Sequence, residues 1–577
     1  MQPKRWIVAP PAPQGQLKQY KDLHPLLAQV LINRGKDHPR DAQAFLYDRS
    51  YTNDPFDLVD MRKAVTRIRQ AIKRREPIVV YGDFDADGVT STAVLVEALR
   101  RFNARVQGYI PHRIDEGYGL NSPALKRMAQ AGIGLVITVD CGIRSVQEVR
   151  EASENGLDVI VTDHHSLGPE LPEAVAVVNP KRDGYPEPML AGVGVAFKLV
   201  QALIMAERQN APRRERSRPD WPGHIEIADF LDLVAIGTVA DLMPLSHLEN
   251  RVLVRRGLDI LNQARRPGVR ALLEVAGVKP GEVSASTIGF ALGPRINAAG
   301  RLDSAMIALK LLTAPDEVTA APLAERLQQL NTLRQQKTRE AQELVREQLE
   351  DIADPPLIFA RHSAFEPGIV GLVAGRLVEE YYRPVVVMED GDDESRASCR
   401  SIPQFDITGA LDECADLLVR HGGHALAAGF TVHRDNIPML QERLTEMARV
   451  QLDGETLQPT LDIDVEVSID DLNEALVQEF EKLEPCGNGN ETPVLMARSC
   501  RVARRQTVGS DGQHLKLQLA RNGSGQALDA IGFSLGARAD GLPDVIDIAF
   551  QLEINKWNGK SNLQANLRDI RPAERAD

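Results

Sequence analysis

The chain has 577 residues, enough for three or four domains of about 150 residues each. It carries 68 Lys and Arg against 81 Asp and Glu, so its net charge is −13, which excludes a general polyanion binder but not an enzyme with a local basic groove. A hydrophobic content of 43% excludes wholesale disorder.

Residues 1–50 contain proline-rich turns and a short helical pattern, and we treat them as an N-terminal segment. Over residues 51–313, near-continuous β-branched runs alternate with helical patterns, which predicts a parallel sheet buried on both faces. The runs are 78–81, 106–110, 135–139 and 159–162. A basic insertion at 207–224 interrupts the pattern, and the sequence assigns it no role.

A second region begins with a polar stretch, 316–352, that has no glycine and repeats leucine at helical spacing. We predict a connecting helix over 314–353 and a smaller α/β domain over 354–455. Residues 456–577 alternate apolar and polar residues between glycine-containing turns, which predicts a small antiparallel barrel. The predicted fold class is therefore α/β: a parallel-sheet domain, a long helix, a smaller α/β domain and a C-terminal β-barrel.

The cellular location is also predicted from composition. Five cysteines without a CxxC pair exclude a disulfide framework and a structural zinc site, and they fit a reducing compartment. No apolar run approaches the roughly 18 residues of a membrane helix, and the N-terminus lacks the apolar core of a signal peptide. We expect a cytoplasmic protein that does not bind membranes.

Acidic and histidine side chains follow three of the predicted strands. Asp83 and Asp85 follow the first strand, Asp140 the third, and His164 and His165 the fourth. The carboxyl ends of parallel strands lie along one edge of a sheet, so these groups should meet there. Crowded carboxylates repel one another unless a cation neutralises them. Oxygen-rich ligands with an imidazole favour Mn²⁺ or Mg²⁺ over zinc.

Each acid also has a simpler interpretation. An Asp directly after a strand often caps the next helix, although this explains the whole cluster poorly. For Asp87, which precedes Gly88 and a helix, capping and ligation are equally favoured. Asp241 lies alone in an apolar stretch, and only the other cluster makes it a metal candidate.

Four ordered motifs then show a family resemblance: GDFDADG, TVDCG, VTDHH and GTVADLMPL resemble those of the DHH phosphoesterases. LAGVGVAFKL, GFALGPRINAAGRLD and HGGHALAAGF are similar to the single-strand-specific exonucleases of that family. The resemblance runs from about 77 to 429 and continues more weakly through the barrel, which resembles an OB-fold. It implies a DHH catalytic domain over 51–313 and a DHHA1 substrate-binding domain over 354–455.

The resemblance also implies a ligand set for two divalent cations, Mn²⁺ or Mg²⁺. Asp83 and Asp85 would bind different ions, and Asp140 would bridge both. His164 and Asp241 would complete the second site. His165 would contact the scissile phosphate.

The family reads a 5′ phosphate in a basic pocket, and guanidinium groups suit this because they bind phosphate oxygens bidentately. The sequence does not decide between Arg295 and Arg301 for this pocket, and Tyr118 either stacks on a base or has a structural role. Gly422, Gly423 and His424 match the DHHA1 motif, although a tight turn also explains the glycines. The matching pocket positions are Arg113, Arg301, Ser398 and Arg400, and Arg295 and Asn297 could face the same pocket. The simpler interpretation of each arginine is a solvated surface charge.

The barrel has a basic bias, which fits either a groove for single strands or a solvated face. Its basic residues are Arg498, Arg501, Arg504, Arg505, Lys516 and Arg521.

Together these features imply a metal-dependent exonuclease that degrades single-stranded DNA from 5′ to 3′ to 5′-mononucleotides, in recombination and repair. Two alternatives remain: a phosphodiesterase for short RNA or cyclic dinucleotides, and a non-catalytic replication scaffold. The resemblance implies single-strand-binding protein and a RecQ-type helicase as partners, and we expect a monomer.

Overall fold

The N-terminal segment forms one short strand and three helices. The computed structural model describes residues 3–573 except 114, 118, 211–215, 217, 220, 351, 353, 522–526, 558 and 559. Prolines open the second and third helices, where the missing N–H is not needed. The elements are β1 (Arg5–Val8), α1 (Gln14–Leu17), α2 (Pro25–Asn33) and α3 (Pro39–Tyr47).

A five-stranded parallel sheet, in the order β3-β2-β4-β5-β6, forms the centre of residues 51–313. Ile78 and Val80 pack in one apolar cluster and Val79 and Tyr81 in another, so successive side chains of one strand fill both faces. The sequence predicts four of these strands and misses the three-residue β6. The strands are β2 (Ile78–Gly82), β3 (Val106–Tyr109), β4 (Leu135–Val139), β5 (Asp158–Thr162) and β6 (Ala176–Val178).

Helices cover both faces of this sheet and extend beyond it. They are α4 (Met61–Arg74), α5 (Ala86–Arg101), α6 (Ser122–Gln130), α7 (Val146–Glu154), α8 (Gly192–Asn210), α9 (Leu231–Ala240), α10 (Leu248–Leu261), α11 (Pro267–Val275), α12 (Ala285–Thr287), α13 (Gly293–Leu302) and α14 (Met306–Leu312). A π-helix, Ile288–Leu292, joins α12 to α13. Short 3₁₀ segments are Pro55–Asp57, Pro222–His224, Ile227–Phe230, Ala415–Leu417, Arg434–Asn436 and Gly536–Arg538.

The predicted connecting helix is α15 (Glu317–Leu349), which Asp316 caps through its side chain. It leads to a second sheet in the order β10-β11-β9-β8-β7, of which only the β7–β8 pair is parallel. The elements are β7 (Ile358–His362), α16 (Val370–Tyr381), β8 (Val385–Glu389), β9 (Glu394–Arg400), α17 (Ile407–Glu413), β10 (Leu418–His424), β11 (Ala427–His433) and α18 (Ile437–Gln451).

The C-terminal sheet closes on itself, because β14 pairs with both β15 and β17. This sheet differs from the antiparallel prediction at two contacts, where β16 and β18 run parallel and where β13 runs parallel to β14. The elements are β12 (Thr460–Ile463), β13 (Val465–Glu466), α19 (Glu474–Glu481), β14 (Leu495–Val508), β15 (His514–Leu519), β16 (Leu528–Gly532), β17 (Val545–Trp557) and β18 (Lys560–Pro572).

The N-terminal segment and the barrel share one apolar core. We call the two together the C-terminal unit, which therefore includes residues from both ends of the chain. Leu27, Leu31 and Phe45 pack in the same cluster as the barrel leucines, and β1 pairs in parallel with β12. The sequence does not reveal this association of the two chain ends, since it depends on long-range packing.

The predicted fold class is confirmed by these three sheets and the long helix. No helix among the described residues is both long and apolar enough to cross a membrane.

Candidate active site

The strands β2, β4 and β5 are neighbours, and acidic side chains follow each of them at the same sheet edge. After β2, the side chain of Asp85 accepts hydrogen bonds from the backbone N–H groups of Asp87 and Gly88, at 3.0 Å each. Asp85 therefore caps α5, as the simpler interpretation of the sequence allowed, while Asp83 is buried beside it.

After β4, Asp140 has a left-handed backbone with φ 61°. Helix α8 begins so close to Asp140 that a Cβ on Gly192 would lie 2.6 Å from its Cβ. Only glycine fits at that position, and the close approach brings the start of α8 to the cluster.

After β5, Asp163 holds the two histidines in place. Its carboxylate accepts from the backbone N–H of His164 at 2.7 Å and of His165 at 3.0 Å. The ring Nδ1 of His165 lies 2.7 Å from Asp163 Oδ1. Sequence reasoning did not include Asp163 among the site residues, although it is the first letter of the Asp-His-His triplet.

Helix α9 delivers Asp241, which is its C-terminal cap. His164 Nε2 lies 3.0 Å from Asp140 Oδ1, 3.5 Å from Asp241 Oδ2 and 3.8 Å from Asp87 Oδ2. Asp87 does not cap α5, since Asp85 does; its carboxylate accepts from the N–H groups of Gly192 and Val193 at the start of α8, and it also lies in the cluster.

The donor set of this cluster fits divalent cations. Three overlapping groups have ligand atoms within 4.8 Å of one another, and Asp140 belongs to two of them. Within the described part of the chain, several of these buried atoms have no hydrogen-bond partner: Asp83 Oδ1, Asp140 Oδ1, Asp241 Oδ2 and His164 Nε2. Buried oxygen and imidazole donors that converge in this way suit Mn²⁺ or Mg²⁺. The groups are Asp83–Asp85–Asp140, Asp87–His164–Asp241 and Asp140–His164–His165.

Electrostatics also favour a bound cation. Burial, reinforced by neighbouring carboxylates, raises the pKa of Asp83 and Asp140 well above the ordinary value and that of Asp241 to about 8. Burial also lowers the pKa of His164 to about 3, so this ring is neutral, as a metal ligand must be. A divalent cation would neutralise the carboxylates that otherwise destabilise one another.

His165 differs from its neighbour. Burial opposes its charge, but the hydrogen bond to Asp163 and the surrounding carboxylates outweigh burial and raise its pKa to about 8. Its side chain is 42% exposed, so the imidazole faces solvent at the cluster.

A cavity of about 700 Å³ adjoins the cluster and lies between the two α/β domains. Arg113 comes from the first domain and stacks on Phe84 at 4.6 Å, and Arg301 and Arg400 also line the cavity. Arg301 donates to the carbonyl of Gly368 at 3.0 Å. Burial, followed by the charge of Arg113, lowers the pKa of Arg301 to about 10. Ser398 lies beside Arg400, which donates to its hydroxyl at 3.2 Å.

Other predicted residues lie elsewhere. Arg295 donates to Gln328 of α15 at 2.8 Å, and Asn297 accepts from the N–H of Ala86 at the start of α5. Gly422, Gly423 and His424 lie on β10, the exposed edge strand of the second sheet. The hairpin to β11 accounts for Gly423, where a Cβ would lie 2.4 Å from the carbonyl oxygen of Ala427, but not for Gly422, where a Cβ would meet nothing within 4 Å. Tyr118 lies outside the described residues.

The cavity contains two arginines that sequence reasoning missed, Arg396 and Arg420. The sequence does contain a pattern that points to Arg396. Arg396, Ser398 and Arg400 occupy alternate positions of one strand, so their side chains share one face of the sheet. Arg420 precedes the two glycines on β10 and offered no such pattern.

Three family models match the chain in order. The model of the DHH family, N-terminal domain, matches residues 77–238, that of the DHHA1 domain matches 354–449, and that of the RecJ OB domain matches 463–569.

Full-length relatives agree with these matches. The single-stranded-DNA-specific exonuclease RecJ of Bacillus subtilis is 38% identical, over 99% of this chain and 71% of its own. The RecJ of Escherichia coli is 36% identical, over 96% of both chains. The crystal structure of RecJ in complex with Mn²⁺ from Thermus thermophilus has a TM-score of 0.83 and 30% identity, over 99% of this chain and 80% of its own. A second structure of that protein contains Mg²⁺ and has a TM-score of 0.77 at 28% identity. The order of the three matched domains and the full-length relatives show that the chain belongs to the RecJ family of DHH phosphoesterases.

Proposed function

We propose that this protein is a metal-dependent exonuclease that hydrolyses single-stranded DNA from the 5′ end and releases 5′-mononucleotides, in recombination and repair. The observation that carries the proposal is the contact between the acidic cluster and the arginine cavity. Phe84 lines the cavity, and its sequence neighbours Asp83 and Asp85 lie in the cluster. A terminal phosphate in the cavity would therefore place a nearby phosphodiester at the cluster.

The cluster supplies the hydrolytic chemistry in this proposal. We propose Asp83, Asp85, Asp140, His164 and Asp241 as the metal ligands, with Asp87 beside them. Two Mn²⁺ or Mg²⁺ ions bound there would supply a nucleophilic water and stabilise charge on the phosphate. His165, oriented by Asp163, presents an imidazole that would contact the scissile phosphate or donate a proton to the leaving oxygen.

End recognition belongs to the cavity. Five guanidinium groups converge there, and a 5′ phosphate bears more negative charge than an internal phosphodiester. Burial keeps Arg113, Arg301 and Arg400 away from bulk water, which strengthens their attraction for phosphate, whereas Arg396 and Arg420 are exposed at the cavity. The five residues are Arg113, Arg301, Arg396, Arg400 and Arg420.

The two alternative functions fit less well. A closed barrel near the C-terminus offers a long strand more surface than a dinucleotide needs, and a scaffold has no use for a complete acidic cluster.

An end-labelled nuclease assay tests the proposal. Single-stranded and duplex DNA, each labelled at one end, would be incubated with Mn²⁺ or Mg²⁺, together with short RNA and a cyclic dinucleotide. We expect labelled mononucleotide from the 5′ end of single strands first, and loss of activity with a chelator. Release from the 3′ end first, or preference for the dinucleotide, would contradict the proposal.

Asp140→Asn is the matched inactive variant. Asn tolerates the left-handed backbone at this position and keeps the side-chain size, so the fold is retained while the charge is lost. We expect turnover to fall by about 100-fold or more. Mn²⁺ should also raise the melting temperature of the variant less than it raises that of the wild type. Wild-type turnover in this variant would remove Asp140 from the mechanism.

We also propose that the enzyme acts as a monomer with a RecQ-type helicase and single-strand-binding protein, since a duplex must be opened before single strands are available. Degradation of blunt duplex should then require a helicase and ATP. Equal degradation without them would contradict this.

A further inference from the structure

The turn that carries Asp241 is conformationally unusual. Asp241 ends α9, and Leu242 follows with a left-handed φ of 55°. Residues other than glycine, asparagine and aspartate seldom adopt this conformation. The Leu242 side chain is 66% exposed, so its own packing contributes little to holding the turn. Because Asp241 lies in the metal cluster, whatever holds this turn also sets the position of a ligand.

A segment of the C-terminal unit contacts this turn directly. The side-chain amide of Asn488 donates to the carbonyl of Leu242. The backbone carbonyl of the same Asn488 accepts from the N–H of Leu245 at 2.7 Å. One residue thus binds the turn on both sides of Met243.

Close approach of the two backbones makes these hydrogen bonds possible. A Cβ on Gly489 would lie 2.9 Å from Ser246 Oγ and 3.2 Å from Pro244 Cβ, and Gly489 has φ 69°. A Cβ on Gly487 would lie 2.9 Å from Leu245 Cδ1. Side chains at either position would push the segment away from the Asp241 turn.

The segment is itself held firmly. Gly487 and Asn490 exchange two backbone hydrogen bonds of 2.9 Å, which closes a tight turn. Asn490 is fully buried, and its amide donates to the carbonyls of Leu483 and Pro485 at 2.9 Å each. Arg34 of the N-terminal segment donates to Asn490 Oδ1 at 2.9 Å. The turn therefore has the rigidity that a positioning element needs.

We infer that the Gly487–Asn490 turn completes the catalytic centre, and that Asn488 is a positioning residue for Asp241. The C-terminal unit would then do more than hold the strand, because it fixes one metal ligand of a domain that is distant in the sequence. The inference rests on the proposed metal-dependent function, since it treats Asp241 as a ligand.

Metal binding by full-length protein tests this inference independently of turnover. Asn488→Asp keeps the size of the side chain but removes the N–H group that donates to Leu242. Asn488→Ala removes both the side-chain volume and this donor. Substitution of a residue that orients a metal ligand typically weakens metal binding by about 10- to 100-fold. We therefore expect the Mn²⁺ dissociation constant to rise by about 10-fold in both variants. Isothermal titration with MnCl₂ measures it. Asn562→Ala, an exposed asparagine of the same barrel, is the control and should bind as the wild type does.

A double-mutant cycle with Asp241→Asn separates positioning from general stability. If Asn488 acts through Asp241, Asn488→Ala should change Mn²⁺ affinity in the wild-type background but not in the Asp241→Asn background. The melting temperature of metal-free protein should be the same with and without Asn488→Ala.

The other outcomes are distinct. Unchanged Mn²⁺ affinity overturns the inference, and so does an equal loss in both backgrounds, which would mark a structural role. Weaker binding of single-stranded DNA in metal-free buffer with unchanged Mn²⁺ affinity would overturn it in favour of a strand contact. A wild type that binds no Mn²⁺ would overturn the proposed function itself.

Discussion

At the scale of single residues, the cavity arginines come from distant parts of the chain. Arg113 follows β3, Arg301 belongs to α13, and Arg400 ends β9. Burial lowers the pKa of each guanidinium, because charge is unfavourable away from water. Such a cluster is costly unless an anion binds, and in the proposed function a terminal phosphate would be that anion.

We predict that Arg301→Gln reduces the preference for 5′-phosphorylated over 5′-hydroxyl strands by about 10- to 100-fold, because a charged hydrogen bond contributes about 1.5–3 kcal/mol. The ratio of kcat/KM for the two substrates measures it. Arg295→Gln is the matched control, since Arg295 contacts Gln328 instead of the cavity. Loss of the preference in the control alone would reverse this assignment.

At the scale of elements, α15 connects the two α/β domains by packing in both. Leu327 is buried in the core of the catalytic domain, and Val345 is buried in the core beside β7 and β8. The helix spans 33 residues, about 50 Å, so its two halves belong to different cores. The cavity between the domains thus depends on a single continuous element.

We predict that Leu327→Ala and Val345→Ala loosen different domains. A buried Leu→Ala change costs about 2–5 kcal/mol, because it removes contacts and leaves a cavity. Hydrogen exchange should rise around α11, α13 and α14, which pack against the first half of α15, in the first variant and around β7 and β8 in the second. Equal exchange across both domains in either variant would show that the helix couples them as one folding unit.

At the scale of the whole molecule, Arg251 joins three parts of the chain. It is fully buried and lies 3.9 Å over the ring of Phe45. It donates to the carbonyls of Phe45 at 2.6 Å, Leu483 at 2.7 Å and Pro485 at 3.1 Å. Burial, followed by the charge of Arg255, lowers its pKa to about 9. Helix α10 of the catalytic domain thereby holds the C-terminal unit in place.

We predict that Arg251→Met weakens this docking by about 1–3 kcal/mol for each buried carbonyl left without a partner. Calorimetry should show a separate, earlier transition for the C-terminal unit, and limited proteolysis should cut faster between the units. Arg256→Met, in the same helix but only half-buried, should behave as the wild type does. A single transition at the wild-type temperature would contradict this role of Arg251.

Local signals in the sequence determined the acidic and histidine cluster. Strand runs ending in Asp83, Asp140 and His164 place these groups at one sheet edge, because parallel strands share their direction. The domain order, the long helix and the barrel followed from the periodicity of apolar residues in the same way. The charge of −13 hid the local basic cavity, because a whole-chain total does not show where charges lie.

Only the tertiary structure placed Arg301 in the cavity and Arg295 against Gln328, added Arg420 to the cavity, and brought Asn488 to the Asp241 turn. It also showed that both ends of the chain share one core. Each of these contacts joins segments far apart in sequence, and no local pattern specifies which distant surfaces meet. Their positions depend on how completed domains pack against one another, which is a property of three-dimensional shape.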